Sequence, residues 1–215
     1  MPRPADRPKR PRSDDGPEDL IATTTPVPGV TDGASQVHIR EAQATDASQI
    51  AEVRVRSWQQ AYSGLLPQPG LDALTVADEQ ARQTKWLAQG GARVYVASDD
   101  HRVVGIATLG MAADADHGGP AGPLNGMYVH PDVWRQGVGR LLWQRVVAEA
   151  TAGAWAWLHL TVLVANHQAR SFYEAMGCRA DPASTTEAQV LGAPVQVLRY
   201  WFALGAPAVV QPRQV

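Results

Sequence analysis

The sequence predicts a mixed α/β fold in which one β-sheet is flanked by helices. Stretches of alternating or continuous apolar residues recur between residues 37 and 204, and segments with helical spacing separate them. One apolar run, residues 127–129, leads into a glycine-spaced loop at residues 135–140, and a helical pattern follows that loop. The predicted order of elements is β-α-α-β-β-β-α-β-α-β-β.

The first strand and the first helix are predicted at the start of this region. Residues 37–40 alternate between apolar and polar side chains, which favours a short strand. Thr45 and Asp46 then supply a helix N-cap, and Gln49 follows Asp46 by three residues, as in a capping box. Apolar residues continue at helical spacing at Ala51, Val55, Trp58 and Tyr62.

Gly64 and Pro67 end the first helix, and a second predicted helix begins soon after them. Thr75 and Asp78 form a capping box at its start, and the helical pattern runs to Leu87 before two glycines close it.

A hairpin and a third strand are predicted next. Strands over residues 92–97 and 102–109 are separated by a short polar turn. Residues 112–122 are small and polar and predict a loop, and residues 124–129 predict the strand before the glycine-spaced loop.

The last third of the chain predicts two helices and three strands. A helix starts at Val138, and residues 157–164 are nearly all apolar, as in a central strand. Asn166 caps a short helix that Gly177 ends. Two strands at residues 190–191 and 195–204 form a final hairpin.

The two ends of the chain lack the apolar content of a packed core. Residues 1–36 are rich in proline and charge and predict a disordered tail, because they bury too little apolar surface to offset the ordering entropy. Residues 37–204 form the predicted domain, and residues 205–215 a frayed C-terminus.

Composition excludes several classes of protein. The single cysteine, Cys178, rules out an internal disulfide and a cysteine-based zinc cluster, so no metal is predicted, and it fits a cytoplasmic location. The sequence has no run of about 18 apolar residues, so no membrane span is predicted. The net charge of −2 does not indicate a nucleic-acid partner.

The glycine-spaced loop predicts a phosphate-binding site, because glycines let the backbone approach a ligand and the helix start offers free N–H groups. A dinucleotide fingerprint would need a third glycine where Leu142 stands, and a Walker loop would need Gly-Lys-Ser/Thr. Neither nicotinamide nor a nucleoside triphosphate is well supported, although a Rossmann-type protein stays an alternative.

Three blocks of residues 37–204 together resemble the GNAT superfamily of acetyl-CoA-dependent N-acetyltransferases. Residues 127–140, MYVHPDVWRQGVGR, resemble the family's acetyl-CoA motif. Residues 163–178, LVANHQARSFYEAMGC, resemble the following motif, N-x-x-A-x-x-(F/L)-Y-x-x-x-G-(F/C). Residues 44–47, ATDA, and residues 58–67, WQQAYSGLLP, resemble the N-terminal part of many bacterial members.

The resemblance implies a mixed, mostly antiparallel sheet, the acyl-CoA N-acyltransferase fold. It also implies that acetyl moves from acetyl-CoA, the co-substrate, to a primary amine by direct attack in a ternary complex. The backbone of Met127, Tyr128 and Val129 would bind pantetheine, and the Val129 N–H would polarise the thioester carbonyl. The pyrophosphate would be held by Arg135, Gln136, Gly137, Val138, Gly139 and Arg140.

The same resemblance implies further site residues. Tyr173 matches the general acid that protonates the departing thiolate, and Asn166 would cap its helix and bind pantetheine. The acceptor pocket would include Trp58, Tyr62 and Asn125. Trp134 departs from the family pattern, which usually has Gln or Arg three residues before the first loop glycine.

A general base is not evident. Thr161 and Asn125 stand where other members carry a carboxylate. We expect deprotonation through water, and the residues left as candidate bases are Glu41, Asp116, His117 and His159.

Two points stay open at the level of sequence. The missing carboxylate leaves a non-catalytic acyl-CoA-binding or regulatory module as the alternative function. The acceptor is a small-molecule or peptide amine that the sequence does not name, and the final hairpin, with Trp201 and Phe202, could serve a homodimer by analogy with the family.

Overall fold

A computed structural model describes residues 36–89, 92–99, 102–115 and 119–205. The strands are β1 (His38–Glu41), β2 (Arg93–Ser98), β3 (Val103–Leu109), β4 (Ala113–Ala115), β5 (Gly119–Val129), β6 (Trp157–Leu163), β7 (Arg179–Val190) and β8 (Ala193–Ala203). The helices are α1 (Ala47–Ala61), α2 (Gln68–Asp72), α3 (Val76–Gln89), α4 (Val138–Ala152) and α5 (His167–Ala175). Single 3₁₀ turns lie at Ala44–Asp46 and Pro131–Val133.

The eight strands form one sheet, in the order β1-β2-β3-β5-β6-β8-β7, with β4 paired to β5 outside this path. Every pair is antiparallel except β5 with β6, which run parallel. The predicted single, mixed and mostly antiparallel sheet is therefore confirmed.

Helices cover both faces of the centre of the sheet. On one face, Leu142 and Val146 of α4 pack in a core cluster that includes Ala107 of β3. On the other face, Ile50 and Val53 of α1 pack with Ile106, which neighbours Ala107 on β3, and with buried valines of β2. This burial on both faces explains why β2 and β3 are rich in apolar residues on both sides.

The parallel pair, β5 with β6, is short, and the two strands separate beyond it. β5 pairs with β6 at Ala121–Pro123, and from Leu124 to Val129 it pairs with β3 alone among the described strands. β6 meanwhile continues with β8 as far as Leu163. The separation leaves one edge of β5 open toward a cleft.

The structure corrects three predictions of secondary structure. Residues 112–122 are not a loop, because β4 and the first part of β5 pair there. The first strand of the final hairpin is twelve residues long rather than two, since β7 starts at Arg179. The short helix α2 was not predicted, because Pro69 and Gly70 lie in it and both disfavour helix.

The predicted cap of α1 is also different. Asp46 makes no side-chain cap bond to α1 and instead accepts hydrogen bonds from Arg40 and from the Gln43 amide. The Gln49 side chain accepts from the Val103 amide of β3. At the start of α3, half of the predicted Thr75–Asp78 capping box forms: the Asp78 amide donates to Thr75 Oγ1, while the Asp78 carboxylate accepts from the Thr75 hydroxyl rather than from its backbone N–H.

The predicted tail at residues 1–36 lies outside the described residues except for Gln36, and so does the predicted C-terminal segment except for Gly205. The domain boundaries remain predictions. Within the described part of the chain, no helix is both long enough and apolar enough to cross a membrane.

Candidate active site

The cleft between β5 and β6 is a cavity of about 570 Å³ that also borders the starts of α4 and α5. Most residues predicted to bind the coenzyme line it: Met127, Tyr128, Val129, Arg135, Gly137, Gly139, Arg140, Asn166 and Tyr173. The fold thus brings together residues that are up to 46 positions apart in sequence (127 to 173).

The open edge of β5 presents backbone groups to the cleft. The His130 N–H donates to the Val104 carbonyl of β3 at 2.8 Å. Because neighbouring residues of a strand direct their N–H and C=O groups to opposite sides, those of Val129 and Met127 face away from β3. These groups therefore face the cleft, where an extended ligand can pair with them as an added strand.

Trp134 forms a hydrogen bond with one of these backbone groups. Its indole Nε1 donates a hydrogen bond of 2.6 Å to the carbonyl oxygen of Val129. The side chain also lines the cleft. Of the two backbone polar groups of Val129, the carbonyl is therefore satisfied within the protein, and the N–H is left for a ligand.

The glycine-spaced loop offers a cluster of free donors. Within the described residues, the N–H groups of Arg135, Gly137, Val138 and Gly139 have no hydrogen-bond acceptor. Gly137 has φ of +88° and Arg135 has φ of +62°, both in the left-handed region. Because this conformation is unfavourable for a residue with a Cβ, Arg135 is strained. Successive backbone N–H groups in such a turn can form a concave site for an anion.

Tyr173 is buried, with 8% of its surface exposed, and its ring makes edge contacts with Trp143 and Phe172. Its hydroxyl has no hydrogen-bond partner among the described residues, and the side chain lines the cleft. Burial raises the pKa of the phenol above its ordinary value, with smaller contributions from Tyr128, Cys178 and Tyr62. The phenol is therefore protonated at neutral pH and can donate.

Asn166 caps α5, since its Oδ1 accepts from the Ala169 amide at 3.0 Å. The residue is buried and lines the cleft, and the structure gives its Nδ2 no partner within the described residues. Both predicted functions of Asn166 are thus sterically compatible.

A second cavity, of about 480 Å³, lies on the α1 side of β5. It shares three lining residues with the cleft, namely Asn125, Gly126 and Tyr128. The Tyr128 ring folds back over Gly126, and a Cβ there would lie 2.8 Å from it. The two cavities therefore share one stretch of β5 as a common wall.

A charged cluster lines the second cavity. Glu79 of α3 is 4% exposed, and its carboxylate binds Arg54 Nε at 3.0 Å and Gln83 Nε2 at 2.7 Å through Oε1. Arg82 binds Oε2 at 2.9 Å. The guanidinium of Arg54 also lies over the rings of Trp58 and Tyr128, 5.4 Å from each centroid.

Gln136 and Val138 were predicted to bind through their backbone N–H groups, and their side chains do not line the cleft. The Val138 N–H is one of the free donors, whereas the Gln136 N–H donates to the Val133 carbonyl at 3.4 Å. Trp58 lines the second cavity, whereas Tyr62 lines the cleft, although their rings touch edge to face at 5.0 Å.

The structure separates the candidate bases. Glu41 lies on the outermost strand, β1, with β2 and β3 between it and β5. His159 lies on β6, against the Trp201 ring, and it lines neither cavity. Asp116 and His117 fall outside the described residues.

Sequence reasoning missed Arg54, Glu79 and Arg82. The available signal was the spacing of Glu79 and Arg82, which lie three residues apart on α3. This helix packs on α1. A charged pair on a helix most often faces solvent, so pairing across two helices could be recognised only with the packing of α1 on α3 in view.

Comparison with known proteins places this chain in a family. The profile described as "Acetyltransferase (GNAT) family" matches residues 54–178, more than half of the chain. A relative from Bacillus subtilis (strain 168), "Uncharacterized N-acetyltransferase YuaI", is 33% identical over 107 residues, which are 49% of this chain and 60% of the relative. The chain thus spans about 60% of the length of that curated relative.

Solved structures share the fold at low sequence identity. The PaiA N-acetyltransferase from Thermoplasma acidophilum, in complex with coenzyme A, has a TM-score of 0.62 at 17% identity, covering 76% of this chain and 98% of that one. YncA from Salmonella typhimurium, a putative acetyltransferase with acetyl-CoA, has a TM-score of 0.57 at 18% identity, covering 80% and 98%.

The antiparallel sheet and the family match overturn the Rossmann-type alternative, which needs a parallel sheet with helices as crossovers. The predicted family is confirmed by the same findings. The chain belongs to the GNAT acetyltransferase family.

Proposed function

We propose that this protein is an N-acetyltransferase that moves acetyl from acetyl-CoA to a primary amine by direct attack in a ternary complex. The observation that carries the proposal is that two cavities share a stretch of β5 that includes Tyr128. One cavity has the donors that an acyl-CoA needs, and the other is a separate space for an acceptor. Related folds with coenzyme A or acetyl-CoA bound support the same ligand.

The residues present fit an acyl-CoA. The free N–H groups around Gly137 suit a pyrophosphate, and Arg135 and Arg140 beside them add positive charge. The open edge of β5 suits the amide groups of pantetheine, because Met127 presents a donor and an acceptor there and Val129 presents a donor. Within the described residues, no three His, Cys, Asp or Glu side chains group together to hold a metal.

The amine nitrogen would attack the thioester carbonyl carbon of acetyl-CoA and form the C–N bond, and the C–S bond would then break to release the coenzyme A thiolate. The Val129 N–H would donate to the carbonyl oxygen, where negative charge develops. The Tyr173 hydroxyl would donate its proton toward the departing sulfur. Burial disfavours the charged forms of both groups, the phenolate of Tyr173 and the thiolate of coenzyme A. It has the same effect on the Cys178 thiol, whose pKa it raises to about 12.

The amine must lose a proton before it attacks, because an alkylammonium has no free electron pair. Glu79 is the one carboxylate lining the second cavity in the described part of the chain, and arginines and Gln83 occupy its oxygens. We therefore retain deprotonation through water.

The cytoplasmic location and a homodimer remain predictions. Phe202 of the final hairpin packs inward on Trp143, with 5.2 Å between the ring centroids.

The second candidate function is a non-catalytic acyl-CoA-binding module, and the absence of an unpaired carboxylate among the described lining residues favours it. The two functions differ in one assay. Free thiol release from acetyl-CoA is measured with and without a panel of primary amines, and the acetylated amine is identified by mass spectrometry. Catalysis predicts amine-dependent thiol release that matches the product formed. Tight binding of acetyl-CoA with no release for any amine would support the module instead.

A further inference from the structure

We propose that the second cavity, defined by Arg54, Trp58 and Glu79, takes a primary amine that also carries a carboxylate, with Arg54 as the residue that binds the acid. This inference rests on the proposed acetyl transfer for its biological meaning. The binding of the acid, however, depends only on the cavity itself and can be measured without turnover.

Arg54 is held in one orientation by its neighbours. Its Nε is bonded to Glu79, and the flat guanidinium lies over Trp58 and Tyr128. The remaining two nitrogens have no partner among the described residues, and 36% of the side chain is exposed. A preoriented guanidinium with two free nitrogens matches the geometry of a carboxylate.

Glu79 orients this arginine and leaves the cavity positive. Both carboxylate oxygens already accept hydrogen bonds from protein groups, so none is left to receive a ligand ammonium as its main partner. The charged side chains lining the cavity are Arg54, Arg82 and Glu79, which together have a net charge of +1. A positive cavity favours an acceptor with a negative group over a polyamine or another purely cationic amine.

The position of Arg54 fixes where the amine must be. Its guanidinium lies against the Tyr128 ring, and Tyr128 also lines the cleft. A carboxylate on Arg54 therefore places a nearby amine beside Tyr128, which lines both cavities. An α-amino acid has this short separation. The positive charge of Arg54 also disfavours the ammonium form of that amine, which helps deprotonation where the described lining of the two cavities offers no unpaired carboxylate.

The rest of the cavity suits an apolar side chain. Trp86, Leu74 and Ile106 line it, and Leu191 reaches it from the turn between β7 and β8. A volume of about 480 Å³ accommodates an amino acid with a large side chain. The combination of one cation and apolar walls favours aromatic or long aliphatic amino acids.

The first experiment compares matched acceptors. L-phenylalanine, L-phenylalaninamide and phenethylamine share the amine and the ring and differ in the carboxylate, and the corresponding methionine and leucine series extend the test. We expect kcat/KM for the acid to exceed that for the amide and the decarboxylated amine at least tenfold in one or more series. Arg54→Gln should remove this preference. Arg54→Lys should keep part of it, because lysine retains the positive charge but lacks the paired N–H donors of the guanidinium.

Arg56→Gln is the matched control, since Arg56 lies on the same helix, is exposed and lines neither cavity. It should behave as the wild type. If Arg54→Gln unfolds, the double change Arg54→Gln/Glu79→Gln removes the buried charge together with its partner. Thermal melting establishes that each variant is folded.

The second experiment separates this inference from the proposed function. The same compounds are titrated without acetyl-CoA while tryptophan fluorescence is followed, because Trp58 and Trp86 line the cavity. Acids that bind wild type at least tenfold more tightly than Arg54→Gln support the inference even if no compound is acetylated. Turnover of amines with no preference for the acid, or a preference that survives in Arg54→Gln, would overturn it and leave acetyl transfer intact.

Discussion

The indole nitrogen of Trp134 donates a 2.6 Å hydrogen bond to the carbonyl oxygen of Val129, on the open edge of β5. This is the position at which the sequence departs from the usual family pattern. The bond satisfies the carbonyl and holds the last residue of the strand, so that the Val129 N–H keeps its direction toward the cleft. Trp134 thus replaces a flexible polar side chain with a rigid donor.

Trp134→Phe keeps an aromatic ring and removes the donor. A hydrogen bond of this kind contributes about 1 kcal/mol, so we expect kcat with acetyl-CoA to fall roughly fivefold. The KM for acetyl-CoA should change less, because the N–H acts mainly on charge that develops during the reaction. Steady-state kinetics on a variant with an unchanged melting temperature measures this, and an unchanged kcat would show that the bond does not position the strand.

Tyr173→Phe removes the proposed acid and keeps the ring that packs against Trp143. We expect kcat to fall about 100-fold or more, with calorimetric binding of coenzyme A unchanged. Since burial raises the pKa of the phenol, Tyr173 stays protonated through pH 10, and wild type should show no loss of activity from this group as the pH rises to 10. An alkaline limb with a midpoint near pH 9 that the variant lacks would contradict this assignment.

Gly137→Asp places an anion and a Cβ at the centre of the phosphate-binding loop. Gly137→Ala is the matched control, because both variants have a Cβ at φ of +88° and neither Cβ would meet another atom within 4 Å. The alanine variant should lose about 1 kcal/mol of stability and bind coenzyme A several-fold more weakly. The aspartate variant should show no measurable binding by calorimetry. Equal affinity in the two variants would show that the pyrophosphate lies elsewhere.

The Asp46 carboxylate predicts a specific loss of stability in acid. The hydrogen bonds from Arg40, with one from the Gln43 amide, hold the pKa of Asp46 below its ordinary value. The stabilisation is therefore present above about pH 4, the pKa of the unfolded state, and is lost as the pH falls through the lower pKa of the folded state.

Asp46→Asn should lower the free energy of unfolding at pH 7 by about 1–2 kcal/mol and flatten its decrease below pH 4. Urea unfolding across pH 3–7 measures this. Asp72→Asn, at an exposed carboxylate of α2, should reproduce the wild-type pH dependence. The same acid limb in Asp46→Asn and wild type would contradict the assignment.

The sequence predicted the central elements because their signals are local. The helix after Gly137 and the strand over residues 157–164 have clear periodicity and clear ends, and the motif around Asn166 and Tyr173 includes its own cap. β7 was not predicted because ten of its twelve residues are polar or small, and none of the twelve is fully buried. The strand is also paired on one side only, to β8. Its pairing with β8 comes from tertiary structure and has no strong local pattern.

The cleft was predictable to the same extent. Most of its lining residues occur in two continuous motifs, so the sequence names many of them. The second cavity was not predictable, because Arg54, Glu79 and Tyr128 come from α1, α3 and β5 and meet only through packing. The hydrogen bond from Trp134 to the Val129 carbonyl likewise required the structure, since no local sequence pattern indicates it.

The central claim is that the open edge of β5 and Tyr173 hold the reacting group of acetyl-CoA, and a crystal structure of the protein with acetyl-CoA tests it most directly. We predict the thioester oxygen within hydrogen-bonding distance of the Val129 N–H, the sulfur beside the Tyr173 hydroxyl, and the pyrophosphate on the loop at Gly137. A coenzyme bound with its thioester away from Val129, or with the Tyr173 hydroxyl facing no part of it, would contradict the account.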